Sequence, residues 1–218
     1  MAPDRELVPL TSDEQLLSAW CSGEEGAGES LFERHYESIA RFFRNKVGHD
    51  AAPDLIQRTF LALVESRSRF RGESSFRTFL FAVAHNVLHR HYRSKRRGGE
   101  HLDFAAVSVS DLGPSATALL AQRDEERALL AALRRIPIEH QEILELYFWE
   151  HMKALEIAAI LSMPEGTVRT RIRRAKQLLA DAMRAGGTSR EIIESTISGL
   201  DHWAERVRGH LLLQANTT

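Results

Sequence analysis

The chain of 218 residues has one cysteine, Cys21. That excludes an internal disulfide and a cysteine-rich metal site, and a reducing compartment is expected. No apolar run approaches the roughly 18 residues needed to cross a bilayer, so no membrane insertion is expected. The opening residues, MAPDRELVPL, lack the basic start and apolar core of a secretory signal, and a cytoplasmic protein is expected. No stretch alternates apolar and polar residues as a half-exposed strand does. An excess of one charge is also missing, because the formal net charge is only −1. Averaged over the whole chain, that balance speaks against a polyanionic partner. What is present is ordinary for a globular protein, with 43% hydrophobic and 27% charged residues, and wholesale disorder is excluded.

The average hides an uneven distribution. Residues 1–30 carry a net −6, residues 67–97 a net +8 and residues 169–184 a net +5. Two basic blocks are thus offset by acidic segments elsewhere. Each block lies beside a distinctive local pattern, which favours a polyanion touched at two places.

Helical spacing dominates the chain. Ser12-Asp13-Glu14-Gln15 has the form of a capping box and predicts a helix to about Cys21. Leu31, Phe32, Ile39, Phe42, Phe43 and Val47 continue the helical pattern. Pro53 suits a first helical turn, and Leu55, Ile56, Phe60, Leu63 and Val64 are expected on one face after it. Gly72-Glu73-Ser74-Ser75 reads as a loop ending in a cap. Phe76, Phe79, Leu80, Val83, Val87 and Leu88 then predict a helix that runs into the basic Arg93–Arg97 end.

Residues 98–116 have no sustained period and read as a flexible linker. Periodicity resumes near Thr117 and is broken by Pro137. Ile138 to Trp149 reads as one helix, and 153–162 and 165–185 as a pair around a turn, ended by Gly186-Gly187. Ser189 caps a last helix whose Ile193, Ile197, Leu200 and Trp203 are expected to pack on the body or on a partner. The expected fold is all-α: two compact helical domains, 12–97 and 117–185, joined by the linker. A flexible N-terminus (1–11) precedes them and a C-terminal helical extension (186–218) follows.

Residues Ala154–Ile172 fit a helix-turn-helix. Small Ala158 permits close approach, and Ile157, Leu161, Met163, Val168 and Ile172 supply the buried wedge. The second helix would expose Arg169, Thr170 and Arg173, flanked by Arg171, Arg174 and Lys176. Its first turn suits the major groove, and the flanking cations suit phosphates. Ser162 holds the turn position that glycine usually fills.

These residues resemble the sigma-70 family of RNA polymerase initiation factors, in its extracytoplasmic-function group. Leu133–Leu146 resembles the lead-in "L-x-x-L-P-x-x-x-R-E-x-L-x-L" of the family's C-terminal domain, and Gly166–Ala175 resembles its recognition helix "G-T-V-K-S-R-L-x-R-A". Asp54–Leu61 resembles "D-L-V-Q-E-T-F-L", Phe70–Leu80 resembles "F-R-G-E-S-S-F-R-T-W-L", and Ala84-His85-Asn86 matches "A-R-N". The resemblance covers roughly residues 12–97 and 121–184.

The resemblance implies a bacterial, cytoplasmic specificity subunit with no covalent chemistry, no cofactor and no metal. Its partners would be core RNA polymerase (the β′ clamp and β flap), promoter DNA and, as is common in the group, an anti-sigma factor. Asp54, Gln57 and Arg58 would face the polymerase, with Arg58 standing where the family usually has an acid. Asn86 would recognise a base of the −10 element, with Arg77, Arg90 and Arg93 on phosphates. Arg169, Thr170, Arg171, Arg173, Arg174 and Lys176 would read or hold the −35 element. Phe76 and Phe79, at helical spacing, suit core better than base-stacking platforms.

Two other readings compete. A conventional helix-turn-helix regulator accounts for residues 128–184 and leaves the first domain unexplained. In a metal-dependent enzyme, His85 and His89, at i, i+4, would be ligands with His91 nearby. No carboxylate accompanies them at ligand spacing along the sequence, and with ten histidines in the chain their proximity reads as chance.

Overall fold

A computed structural model describes residues 12–48, 50–67, 70, 74–95 and 124–204 of the chain. Among these residues there are nine α-helices and no strand. In α1 (Asp13–Cys21) the capping box closes as expected. Ser12 Oγ accepts from the Gln15 amide at 3.3 Å, and Gln15 Oε1 accepts from the Ser12 amide at 2.9 Å. The long α2 (Glu25–Arg44) buries Leu31, Ile39, Phe42 and Phe43 and carries Arg41 and Arg44 in its last turn, where cations complement the helix dipole. Pro53 lies in the first turn of α3 (Ala52–Ser66). Ser75 Oγ accepts from the Thr78 amide at 3.1 Å and starts α4 (Phe76–Lys95).

The second domain begins, among the described residues, with α5 (Asp124–Arg135). Pro137 separates it from α6 (Ile138–Leu144). The single helix expected over Ile138–Trp149 is corrected here: α6 stops after seven residues and widens into a π-helical turn, Glu145–Trp149. Its register shows in the Glu150 amide, which donates to the Glu145 carbonyl at 3.0 Å. Then come α7 (Ala154–Leu161), α8 (Glu165–Ala185) and α9 (Arg190–Ser198), the last capped by Ser189 as expected. The expected linker 98–116, and the first part of the domain expected from residue 117, lie outside the described residues.

The two domains also pack against each other. One core gathers Trp20, Leu31, Phe43, Leu55, Phe76 and Leu80 from α1–α4 and continues without a break into Ile138, Leu146, Ile157 and Val168. Helix α4 packs directly against α7. A second core lies within the C-terminal half, around Leu133, Phe148, Trp149, Leu179 and Met183. Ile193, Leu200 and Trp203 join that core, so the extension packs on the body. The Trp203 indole meets Trp149 edge-on at 5.1 Å. Val64, expected on the buried face of α3, is instead exposed.

A tight approach in the first domain gives a direct check of the packing. A Cβ on Gly28 would lie 2.5–2.8 Å from the buried Trp20 indole. Alanine's helix propensity, about 1 kcal/mol better than glycine's, is outweighed by overpacking of about 1–3 kcal/mol. Gly28→Ala is therefore expected to lower stability in urea denaturation, opposite in sign to its propensity.

Candidate nucleic-acid interface

The helix-turn-helix is built from α7 and α8. Ser162 between them adopts the left-handed conformation, φ 52°, ψ 47°. This lets the Ser162 and Met163 amides both close on the Ala158 carbonyl, which turns the chain sharply. A left-handed residue other than glycine costs about 1–2 kcal/mol, and glycine's extra freedom in the unfolded chain takes back about 0.5–1. Ser162→Gly is expected to gain about 0.5–1 kcal/mol in chemical denaturation, with the helix pair unchanged.

Val168 seals the underside of α8 with no exposed surface, and Leu161, Met163 and Ile172 pack around it. On the opposite face Arg169, Thr170, Arg173 and Arg174 are exposed. Arg169 is held by Glu165, one turn earlier, at 2.5 Å. Two of the sequence-predicted cations, both half-buried, also make contacts within their own domain. Arg171 pairs with Glu139 at 2.7 Å, and Lys176 lies 4.8 Å over the Phe148 ring. Both therefore brace α8 on its own domain as well as adding positive charge.

On α4, Asn86, Arg90 and Arg93 are exposed. Phe76, Phe81, Leu80, Ala84 and Leu88 are buried, and Phe79 is half-buried against Phe70, so Phe76 and Phe79 are core as expected. Arg77 is committed elsewhere: it donates to Glu150 Oε2 of the second domain at 2.6 Å.

On α3, Asp54, Gln57 and Arg58 are all exposed, and Arg58 pairs with Asp54 at 2.8 Å. The acid-to-Arg departure at 58 is thus neutralised locally. Beside these residues Phe32, Tyr36, Ile56, Phe60, Leu61 and Val64 form an open apolar groove of about 570 Å³. Leu61 is 57% exposed there, an unusual position for a large aliphatic side chain.

Sequence reasoning missed a row of three buried acids on the second domain, Glu142, Glu145 and Glu150. Each meets basic groups of the first domain. Glu142 accepts from His85 Nδ1 at 2.8 Å and lies 3.5 Å from His89 Nε2. Glu145 pairs with the fully buried Lys46. Glu150 takes Arg41 at 2.8 Å as well as Arg77. The π turn makes the row possible, because its larger number of residues per turn, closed by the Glu150 amide on the Glu145 carbonyl, brings Glu150 near the face of Glu145. Burial pushes the Glu142 carboxyl up, but His85 and His89 outweigh it and hold the group at about 2. Burial likewise opposes the charge on His85, and Glu142 overcomes it and raises the imidazole. In Glu150, burial is outweighed by Arg41 and Arg77, and the carboxyl is lowered. The one signal available in the sequence was two glutamates, at 142 and 145, interleaved with the apolar Ile143, Leu144 and Leu146.

The fold and these faces define a class: an all-helical protein whose two domains each present an exposed cationic helix face. Residues 31–98 match the family described as sigma-70 region 2, and residues 126–179 match sigma-70 region 4. The chain is 31% identical to the RNA polymerase sigma factor CarQ of Myxococcus xanthus, over 74% of this chain and 91% of that protein. It is 25% identical to the ECF RNA polymerase sigma-E factor of Haemophilus influenzae, over 79% of this chain and 96% of that one. Among solved structures it resembles CnrH in complex with the cytosolic domain of CnrY, with TM-score 0.61, 26% identity and coverage of 79% and 97%. The chain belongs to the sigma-70 family of RNA polymerase sigma factors, in the ECF group. It is a bacterial transcription initiation factor that works with core RNA polymerase on promoter DNA. No helix among the described residues is long and apolar enough to cross a membrane.

Proposed function

We propose that the chain reads promoters through two residue sets that engage only when its domains part. Asn86 receives an unpaired base of the −10 element, and Arg90, Arg93 and a released Arg77 hold the flanking phosphates, as cationic surfaces hold single-stranded DNA. Arg169, Thr170 and Arg173 enter the major groove at the −35 element. Arg174 contacts phosphate there, and Arg171 and Lys176 support α8 from behind. Asp54, Gln57 and Arg58, with the apolar groove beside them, dock on the β′ clamp of core polymerase, and the second domain meets the β flap.

The observation that carries this reading is the exposure of two cationic helix faces, on α4 and α8, in domains that are otherwise well packed. Geometry supplies the need for parting. Elements about 25 base pairs apart lie about 85 Å apart along B-DNA at 3.4 Å per pair. Here α4 packs on α7, which packs on α8, and packed helices are only about 8–10 Å apart. The chain from Lys95 to Asp124 has a contour long enough to bridge the difference, at up to about 3.3–3.6 Å per residue.

The protein acts in the bacterial cytoplasm and supplies no covalent chemistry of its own. An anti-sigma factor is a fitting regulator, since the similar CnrH is solved in complex with a partner's cytosolic domain. The test is run-off transcription on fragmented genomic DNA with purified core polymerase. Core plus this chain is expected to give discrete transcripts that core alone does not. Their absence on every template would refute the assignment of promoter-reading residues.

A further inference from the structure

The geometry points to a divalent transition-metal site made by His85, His89 and Glu142, at which one ion of the Zn²⁺ class ties the two domains together. The sequence offers the two histidines without a carboxylate, and the fold supplies one from 53 residues or more away. His85 and His89 stand one turn apart on α4 with ring centroids 3.9 Å apart, and Glu142 reaches them from α6. One ligand atom from each residue can be chosen so that all three lie within 4.8 Å of one another. Tetrahedral zinc, with bonds of about 2.0–2.2 Å, needs ligand atoms roughly 3.4 Å apart. Small side-chain rotations reach that spacing.

The donor set is chemically selective. Two imidazoles and one carboxylate suit Zn²⁺, Co²⁺, Ni²⁺ or Cu²⁺, whereas Mg²⁺ and Ca²⁺ prefer oxygen alone. The surroundings also suit a site. Glu142 is 1% exposed, while the histidine side chains keep 17% and 13%, so an ion and one water can enter from the α4 side. Three protein ligands leave the fourth position to that water. An ion there is bound only while the domains are packed, so by linkage it favours the packed form. Where the promoter reading above holds, the same ion opposes engagement of both elements at once.

The test uses the full chain and Zn²⁺ itself. Calorimetric titration is expected to give one site per chain, lost in His89→Ala and in Glu142→Gln and retained in His202→Ala, which changes an exposed histidine elsewhere. Long-range ¹H–¹⁵N spectra of the unsubstituted protein should show two histidines shifting together, so the result does not depend on the variants folding. X-ray scattering should report a higher compact fraction with Zn²⁺ than with a chelator. Compaction is independent of transcription, so it can succeed even if the promoter assignments fail. Absence of binding at micromolar Zn²⁺, binding unchanged in Glu142→Gln, or binding without compaction would overturn the proposal.

Discussion

Replacing Lys46 by methionine is expected to cost about 3–5 kcal/mol, because it strands Glu145 as a buried charge without its cation. Lys46 has no exposed surface. Its ammonium contacts Glu145, donates to the Phe42 carbonyl at 2.9 Å and lies 3.9 Å over the Phe42 ring. Gln141 remains as a donor to Glu145 at 3.1 Å, but a neutral amide does not replace a charge. Burial already lifts the Glu145 carboxyl, with Lys46 as the main opposing influence, so the lone acid would take up a proton and limit the loss. Because the pair joins two domains, part of the loss can also appear as separation. Urea unfolding and X-ray scattering should therefore be followed together. Adding Glu145→Leu to Lys46→Met should restore most of the loss, since a well-packed apolar pair of similar volume often does as well as a buried ion pair. A single variant with both stability and compactness unchanged would contradict the structure of this interface.

The second large effect concerns the promoter. Arg169 and Arg173 are exposed on the outer face of α8 and contribute little to packing. A bidentate arginine–guanine contact is worth about 1–3 kcal/mol of discrimination. Arg169→Ala combined with Arg173→Ala is expected to reduce initiation at a promoter with its −35 element by about 30-fold or more, the lower end of two such contacts added together. The melting temperature should stay close to that of the parent, because surface changes of this kind usually lie within about 0.5 kcal/mol. Initiation measured by abortive transcript synthesis, with thermal melting alongside, separates the two effects. A parallel loss of stability would mean that the arginines hold the fold rather than read DNA.

The helix-turn-helix and the helices of both domains were legible because their signals are local. A capping serine, a proline in a first turn and apolar residues three and four apart act within one or two turns. The left-handed turn at Ser162 follows the same logic. What stayed hidden depends on distant partners. Lys46 and Glu145 are 99 residues apart in sequence, and Arg41 and Glu150 are 109 apart. No periodicity announces such pairs. The π turn spans only five residues, too few to displace the 3.6-residue pattern around it. His85 and His89 stand out in the sequence one turn apart, but Glu142 meets them from 53 residues or more away, on α6. Arg171 and Lys176 show the same limit, because their helix could be read from sequence but not the Glu139 and Phe148 behind it.

These interdomain contacts describe the protein away from DNA, while its family membership requires it to work on a promoter. The direct test of that pairing is a distance between the domains, measured in the free protein and in a transcribing complex. Cys21 is exposed and is the chain's single cysteine, so one label can go there and the second on Ser195→Cys in the extension. The account predicts a mainly short distance in the free protein. It predicts a lengthening by tens of ångströms, roughly what the 3.4 Å rise per base pair demands, when core polymerase and promoter DNA are bound. An unchanged distance in a complex that makes transcripts would contradict it.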